Sequence, residues 1–141
     1  MTIAEGIAMQ KDKKFVVNDF SITVATLNGS GSQTSNLTIM LAIFKMGIPV
    51  SGKNLFPSNI QGLPTWYTIR ISEAGYLARR EEHEIVVALN PATFTEDQAD
   101  LVPGGVFLYD DSIKQPIVRQ DIFLYPMPTK QLVKESGAPS N

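Results

Sequence analysis

The residues of this chain best suited to chemistry form the run Asn28-Gly29-Ser30-Gly31-Ser32-Gln33-Thr34. It follows an alternating apolar segment, Phe20 to Leu27, and leads into the apolar stretch Leu37 to Met46. Strand, glycine-rich turn and helix together aim free backbone N–H groups and a helix dipole at an anion. The surrounding charges agree with that chemistry. From Phe20 to Ser72 there is no Asp or Glu, only Lys45, Lys53 and Arg70, and acids close to a phosphate or carboxylate site would weaken it. The same absence argues against an ordinary dinucleotide site, which carries an acid about 20 residues beyond its glycines to hold the ribose. Here that region reads Gly47-Ile-Pro-Val-Ser-Gly-Lys53.

Gly29 and Gly31 are equally accounted for by a tight strand-to-helix turn, and Ser32 and Thr34 by helix capping. Gln33 at the helix start is expected to point its amide toward whatever the loop faces. A second polar stretch, Lys53 to Thr65, is expected beyond the carboxyl end of the second strand, the edge at which open α/β sheets bind ligands. Its amides and hydroxyls (Asn54, Ser58, Asn59, Gln61) make it a candidate binding loop rather than only a rigid surface loop. Other chemistry is missing. There is no cysteine, hence no thiol nucleophile and no cysteine-held iron–sulfur cluster. The sole histidine, His83, lies in Arg79-Arg-Glu-Glu-His-Glu84 and reads as part of a solvated turn. No Ser/His/Asp set, metal-ligand cluster or Gly-Lys-Ser/Thr phosphate loop is present, so no catalytic residue is assigned.

The elements that must position these residues follow from periodicity. Phe20–Leu27 reads as a strand and Ser32–Met46 as a helix too apolar for a single stripe, hence buried on more than one side. Gly47 serves as its C-cap and Ile48–Val50 as a short strand. Trp66–Ser72 alternates as a strand, with Tyr76–Arg79 expected to pair back as a hairpin. Glu84–Leu89 is a strand covered on both faces, followed by a helix around Glu96–Leu101 capped by Thr93 or Thr95. Gly104-Gly105 turns into a strand over Val106–Tyr109; Ile122–Tyr125 is a further strand, and Thr129 starts a last helix. The nine acids between Glu73 and Asp111 read as a solvated face. Alternating strands and helices over 141 residues predict one α/β domain with a doubly wound, mostly parallel, Rossmann-like open sheet. Residues 1–17 form a lead-in segment, and the tail to Asn141 lacks a closing element, so the domain is expected to continue in a longer parent chain. The formal net charge of −2 gives no general affinity for nucleic acid. No apolar run is long enough to span a bilayer and no signal-peptide core opens the chain, which predicts a cytoplasmic protein without a membrane partner.

Three stretches together resemble the γ domain of the 2-oxoacid:ferredoxin oxidoreductases: Asn28-Gly-Ser-Gly-Ser-Gln33, Lys53 to Trp66, and Val87-Ala-Leu-Asn-Pro91 with Pro103-Gly-Gly105. The resemblance covers about Phe15 to Tyr125. It is closest to the 2-oxoglutarate-type form, in which the γ domain is fused ahead of the thiamine-pyrimidine domain in one α subunit. The family loop reads Gly-x-Gly-Gly-Gln-Gly; here Ser32 and Thr34 replace two glycines and narrow the space beside it. The resemblance implies a domain that is not catalytic alone and holds no cofactor by itself. It would assemble with thiamine-binding and iron–sulfur domains, so that thiamine diphosphate, Mg and the clusters belong to the assembled enzyme, with ferredoxin and CoA acting at that level. It also implies a CoA, substrate or interface role for Gly29, Ser30, Gly31, Ser32, Gln33, Thr34, Lys53, Asn54, Ser58, Asn59, Gln61 and Gly62. The alternatives are a stand-alone Rossmann-like small-molecule-binding module and a purely structural subunit.

Overall fold

The computed structural model describes residues 18–56 and 63–137. The elements in chain order are β1 (Asp19–Leu27), α1 (Ser32–Lys45), β2 (Val50–Leu55), β3 (Pro64–Ser72), β4 (His83–Ala88), α2 (Phe94–Ala99), β5 (Leu101–Asp110), β6 (Phe123–Met127) and α3 (Thr129–Ser136). They build one six-stranded sheet in the order β2-β3-β1-β4-β5-β6. Strands β1, β4, β5 and β6 pair in parallel, while β3 runs antiparallel to both β1 and β2. Five of the six strands therefore point the same way, the mostly parallel α/β sheet that the alternating pattern predicts.

Strand alternation divides the sheet into two faces. On one, α1 lays Met40 and Ile43 over Tyr67, Ile69 and Ile71. On the other, Phe94 of α2 packs with Val86, Ala88, Leu101, Phe107 and Ile122. Phe94 meets Phe107 edge-to-face at 5.2 Å between ring centroids, an arrangement that adds specificity to burial.

Several local expectations are corrected. The second strand is Val50–Leu55 rather than Ile48–Val50, because residues of low strand propensity are recruited into pairing with β3. Tyr76–Arg79 forms no strand; the edges of β3 are already taken by β1 and β2. Gly104-Gly105 lies inside β5, where the register against β4 shifts between His83 and Ile85. Helix α1 is not buried on several sides: Asn36 is its one buried residue, and Leu37, Leu41 and Phe44 are exposed, because no further layer lies outside it among the described residues. His83 is not in a solvated turn. It opens β4, its backbone N–H donates to the carbonyl of Asp100 at 2.8 Å, and its side chain is 0% exposed. Asp97, expected on the solvated acidic face, is buried under α2.

Candidate functional site

β1 ends at Leu27, and the chain turns through Asn28 to Gly31 into the first turn of α1. Gly29 and Gly31 take φ of 83° and 77°, left-handed values that a Cβ would strain. Gly31 is the N-cap, and no side chain caps the helix. The Ser32 hydroxyl, expected to cap it, is used otherwise. Ser32 Oγ lies 2.9 Å from Thr26 Oγ1 and accepts from Ser30 Oγ at 3.1 Å, which ties the loop back onto β1. The first N–H groups of a fourteen-residue helix are thus left without side-chain partners.

This loop faces a cavity of about 340 Å³ lined by Thr26, Leu27, Asn28, Gly29, Gly31, Ser32, Gln33, Thr34, Asn36, Asn54, Phe56, Thr65 and Tyr67. The structure therefore brings Gly29, Gly31, Ser32, Gln33 and Thr34 together with Asn54, across the carboxyl ends of β1 and β2. Ser30 is exposed at the loop tip and touches the lining through Ser32. Lys53 is not brought to the cavity. It is exposed and in register with Thr68, on the sheet face opposite that of Asn54, whose partner is Tyr67. Ser58, Asn59, Gln61 and Gly62 lie outside the described residues.

Among the described residues, none that lines the cavity is charged. Of the cations in the acid-free stretch, Arg70 is committed to Asp19 at the far end of β3, and Lys45 sits in the last turn of α1. Any attraction for an anion here comes from the helix N-terminus and the loop N–H groups, not from side-chain charge. Thr26, Asn36, Thr65 and Tyr67 are lining residues that the sequence reading did not single out. Their signal is positional: Thr26 pairs with Thr65 in the antiparallel ladder, and Tyr67 follows two residues on along the same face. Asn90 supports the site from behind. It is 1% exposed and donates through Nδ2 to the Thr26 carbonyl at 3.4 Å, while its Oδ1 accepts from the Ala92 N–H at 3.0 Å.

Among solved structures, the chain is similar to the 2-oxoglutarate:ferredoxin oxidoreductase of Magnetococcus marinus, determined with 2-oxoglutarate, coenzyme A and succinyl-CoA bound. The identity is 26% and the TM-score 0.75, over 85% of this chain and 22% of that one. The fold also matches the γ subunit of a keto/oxoacid ferredoxin oxidoreductase of Geobacter sulfurreducens, with TM-score 0.68 at 16% identity over 83% of this chain and 66% of that one. By sequence it is 24% identical over 96 residues to the α subunit of 2-oxoacid:ferredoxin oxidoreductase 2 of Aeropyrum pernix, spanning 68% of this chain but 15% of that protein. The family described as pyruvate ferredoxin/flavodoxin oxidoreductase matches residues 21–141. With that match covering most of its length, the chain belongs to the pyruvate ferredoxin/flavodoxin oxidoreductase family.

Proposed function

We propose that the chain serves as the γ domain of a thiamine diphosphate-dependent 2-oxoacid:ferredoxin oxidoreductase, and that the glycine-loop cavity forms part of the CoA or 2-oxoacid access region of the assembled enzyme. The observation that carries this reading is the convergence of an uncapped helix N-terminus, Gln33 and Asn54 on one acid-free cavity at the carboxyl edge of the sheet. Both CoA and a 2-oxoacid present anionic groups, which such an edge accommodates. Family membership and the ligands of the Magnetococcus marinus relative support the substrate class.

The chain's own residues do not fit the redox cofactors. It has no cysteine for an iron–sulfur cluster, and among the described residues no three of His, Cys, Asp and Glu are grouped to hold a metal ion. In this reading thiamine diphosphate, Mg and the clusters are held by partner domains, and this chain contributes binding and orientation. Among the described residues no helix is long and apolar enough to cross a membrane; we place the assembly in the cytoplasm.

The test is reconstitution. Together with thiamine-binding and iron–sulfur subunits, the chain should support viologen reduction that depends on a 2-oxoacid and CoA, and alone it should not. Activity from the chain alone would overturn the reading. A micromolar dissociation constant for NAD or NADP would instead favour a stand-alone Rossmann-like module.

A further inference from the structure

A second cavity, of about 240 Å³, opens on the sheet face opposite the glycine loop, where α2 approaches β3 and the start of β4. Its wall contains Trp66, Phe56, His83, Arg79, Glu96 and Asp100. The cavity joins three features that are not explained by packing alone.

The first is His83. Its side chain is fully buried, yet neither Nδ1 nor Nε2 has a hydrogen-bond partner among the described residues. An orphaned buried polar group costs on the order of 1–3 kcal/mol, and natural structures keep few of them. The second is charge. Glu96, Asp97 and Asp100 lie within one short stretch; burial, and after it the neighbouring carboxylates, raises the Asp97 carboxyl above its ordinary range, and burial and then Glu96 do the same for Asp100. The ion pairs among the described residues are Arg70–Asp19, Arg80–Glu84 and Arg119–Asp121, so neither Glu96 nor Asp100 is in one. Arg79 acts on Asp100 at longer range and offsets one of the two carboxylates at the mouth. The third is the aromatic wall of Trp66 and Phe56, whose π faces attract cations.

We propose that this cavity is a receptor for an organic cation, an ammonium or guanidinium group, with Glu96 and Asp100 supplying the counter-charge, Trp66 a π face and the unpartnered His83 imidazole a hydrogen-bond acceptor. A bare metal ion fits less well, since no three ligating side chains are grouped among the described residues. The cation can be a free small molecule or the basic side chain of a partner subunit. Both present the same chemistry.

Trp66 and His83 are the single tryptophan and the single histidine of the sequence, so each reports on the cavity without ambiguity. The chain is prepared with fluorotryptophan and with labelled imidazole nitrogens, and titrated with butylguanidinium and butylammonium. Butyrate and butanol serve as anionic and neutral controls of the same length. The expected result is a saturable shift of the Trp66 fluorine signal and of the His83 nitrogens at the same midpoint with both cations. The controls should give none. Glu96→Gln, an exposed change compatible with the fold, should weaken the midpoint severalfold, and adding Asp100→Asn should bring the loss to roughly tenfold. No saturable response, an equal response to butyrate or butanol, a Trp66 response without one at His83, or unchanged binding in Glu96→Gln would each overturn the proposal. Repeating the titration in the assembled enzyme, with this chain alone labelled, identifies the source. A retained response means a free cation, and a response present in the chain but lost in the assembly means a partner's basic side chain.

Discussion

Trp66 and Asp97, on β3 and α2, are joined by a 2.8 Å hydrogen bond in which the indole Nε1–H donates to carboxylate Oδ1. Thr93 Oγ1 donates to the other oxygen, also at 2.8 Å. Even with both donors, burial dominates and pushes the Asp97 carboxyl up to about 6, helped by Asp100 and Glu96. In the wall of the same region, burial of His83, with Arg79 and Arg80 nearby, pushes its imidazole down to about 4. Two groups at one layer boundary thus stay neutral over a pH range in which exposed counterparts would be charged.

These two groups give the stability of the fold opposing pH dependences. Asp97, raised when folded, contributes stability that is present below its ordinary value of 3.8 and lost as pH rises through about 6. His83, depressed when folded, contributes stability that is present above 6.5 and lost as pH falls through about 4. Each is worth about 3 kcal/mol at its limit, so in the native chain they largely cancel across this window. Asp100, also raised by burial and Glu96, acts in the same direction as Asp97. Asp97→Asn should therefore lose stability more steeply than the parent as pH falls from about 6.5 to 4, while His83→Leu should gain it. Urea unfolding at several pH values measures both. Parallel profiles for the two variants would refute the assignment.

Gly52 on β2 lies under Tyr67, a wall residue of the glycine-loop cavity. A Cβ there would come within 2.2 Å of Tyr67 Oη and 2.6 Å of Met40 Sδ. The Met40 side chain can swing aside, but the buried Tyr67 ring must tilt as a unit. Gly52→Ala is expected to cost about 1–3 kcal/mol by overpacking and to disturb ligand binding in the cavity. Gly31→Ala meets no atom within 4 Å, and its cost is limited to backbone strain of about 1–2 kcal/mol at φ 77°. Chemical denaturation distinguishes them: a loss of unfolding free energy larger in Gly31→Ala than in Gly52→Ala would reverse the argument.

The glycine loop was legible in the sequence because turn chemistry is local: Asn-Gly-Ser-Gly after an alternating run has few other conformations. The parallel sheet was legible for a similar reason, since Glu84–Leu89 and Val106–Tyr109 are apolar runs that must be covered on both faces. What was not legible depends on contacts distant in sequence. Ser51-Gly-Lys-Asn54 has no intrinsic strand signal and becomes β2 only by pairing with β3. His83 looked exposed among charged neighbours, yet it begins the strand, and Leu101 sits opposite it in the ladder. The apolar residues of α1 announced burial, but composition cannot say whether the covering layer belongs to the same chain.

Register separates the roles of Lys53 and Asn54. Adjacent on β2, they point to opposite sheet faces, and Asn54 alone joins the cavity lining. In the assembled enzyme, Asn54→Ala should raise the Michaelis constant for CoA or the 2-oxoacid by about tenfold, the loss of one polar contact. Lys53→Met should change it by less than about twofold, as for an exposed residue away from the site. Steady-state kinetics of both variants would decide. A larger effect at Lys53 would move the site to the other face.

Leu37, Leu41 and Phe44 form an exposed apolar stripe along α1, at the i, i+4, i+7 spacing of one helix face. Phe44 is 64% exposed, and Met46 continues the patch beyond the helix end. Met40 and Ile43, on the neighbouring face, are the residues that hold the helix to the sheet, so the stripe is not needed for that packing. A contiguous apolar surface of this kind marks association. In the proposed assembly its occupant is expected to be the thiamine-binding domain. Leu41→Ser with Phe44→Ser should leave the fold intact at a cost of about 1–2 kcal/mol beyond the helix-propensity cost of serine, because Leu41 is 44% and Phe44 64% exposed and only the remaining burial is lost. The same pair should reduce self-association of the isolated chain in sedimentation velocity and weaken its retention by the thiamine-binding subunit at least tenfold, as loss of a central aromatic anchor does. Reduced self-association with undiminished retention would show that the stripe meets another copy of the chain rather than that domain. No change in either measurement would leave α1 a solvent-facing helix and remove it from the interface.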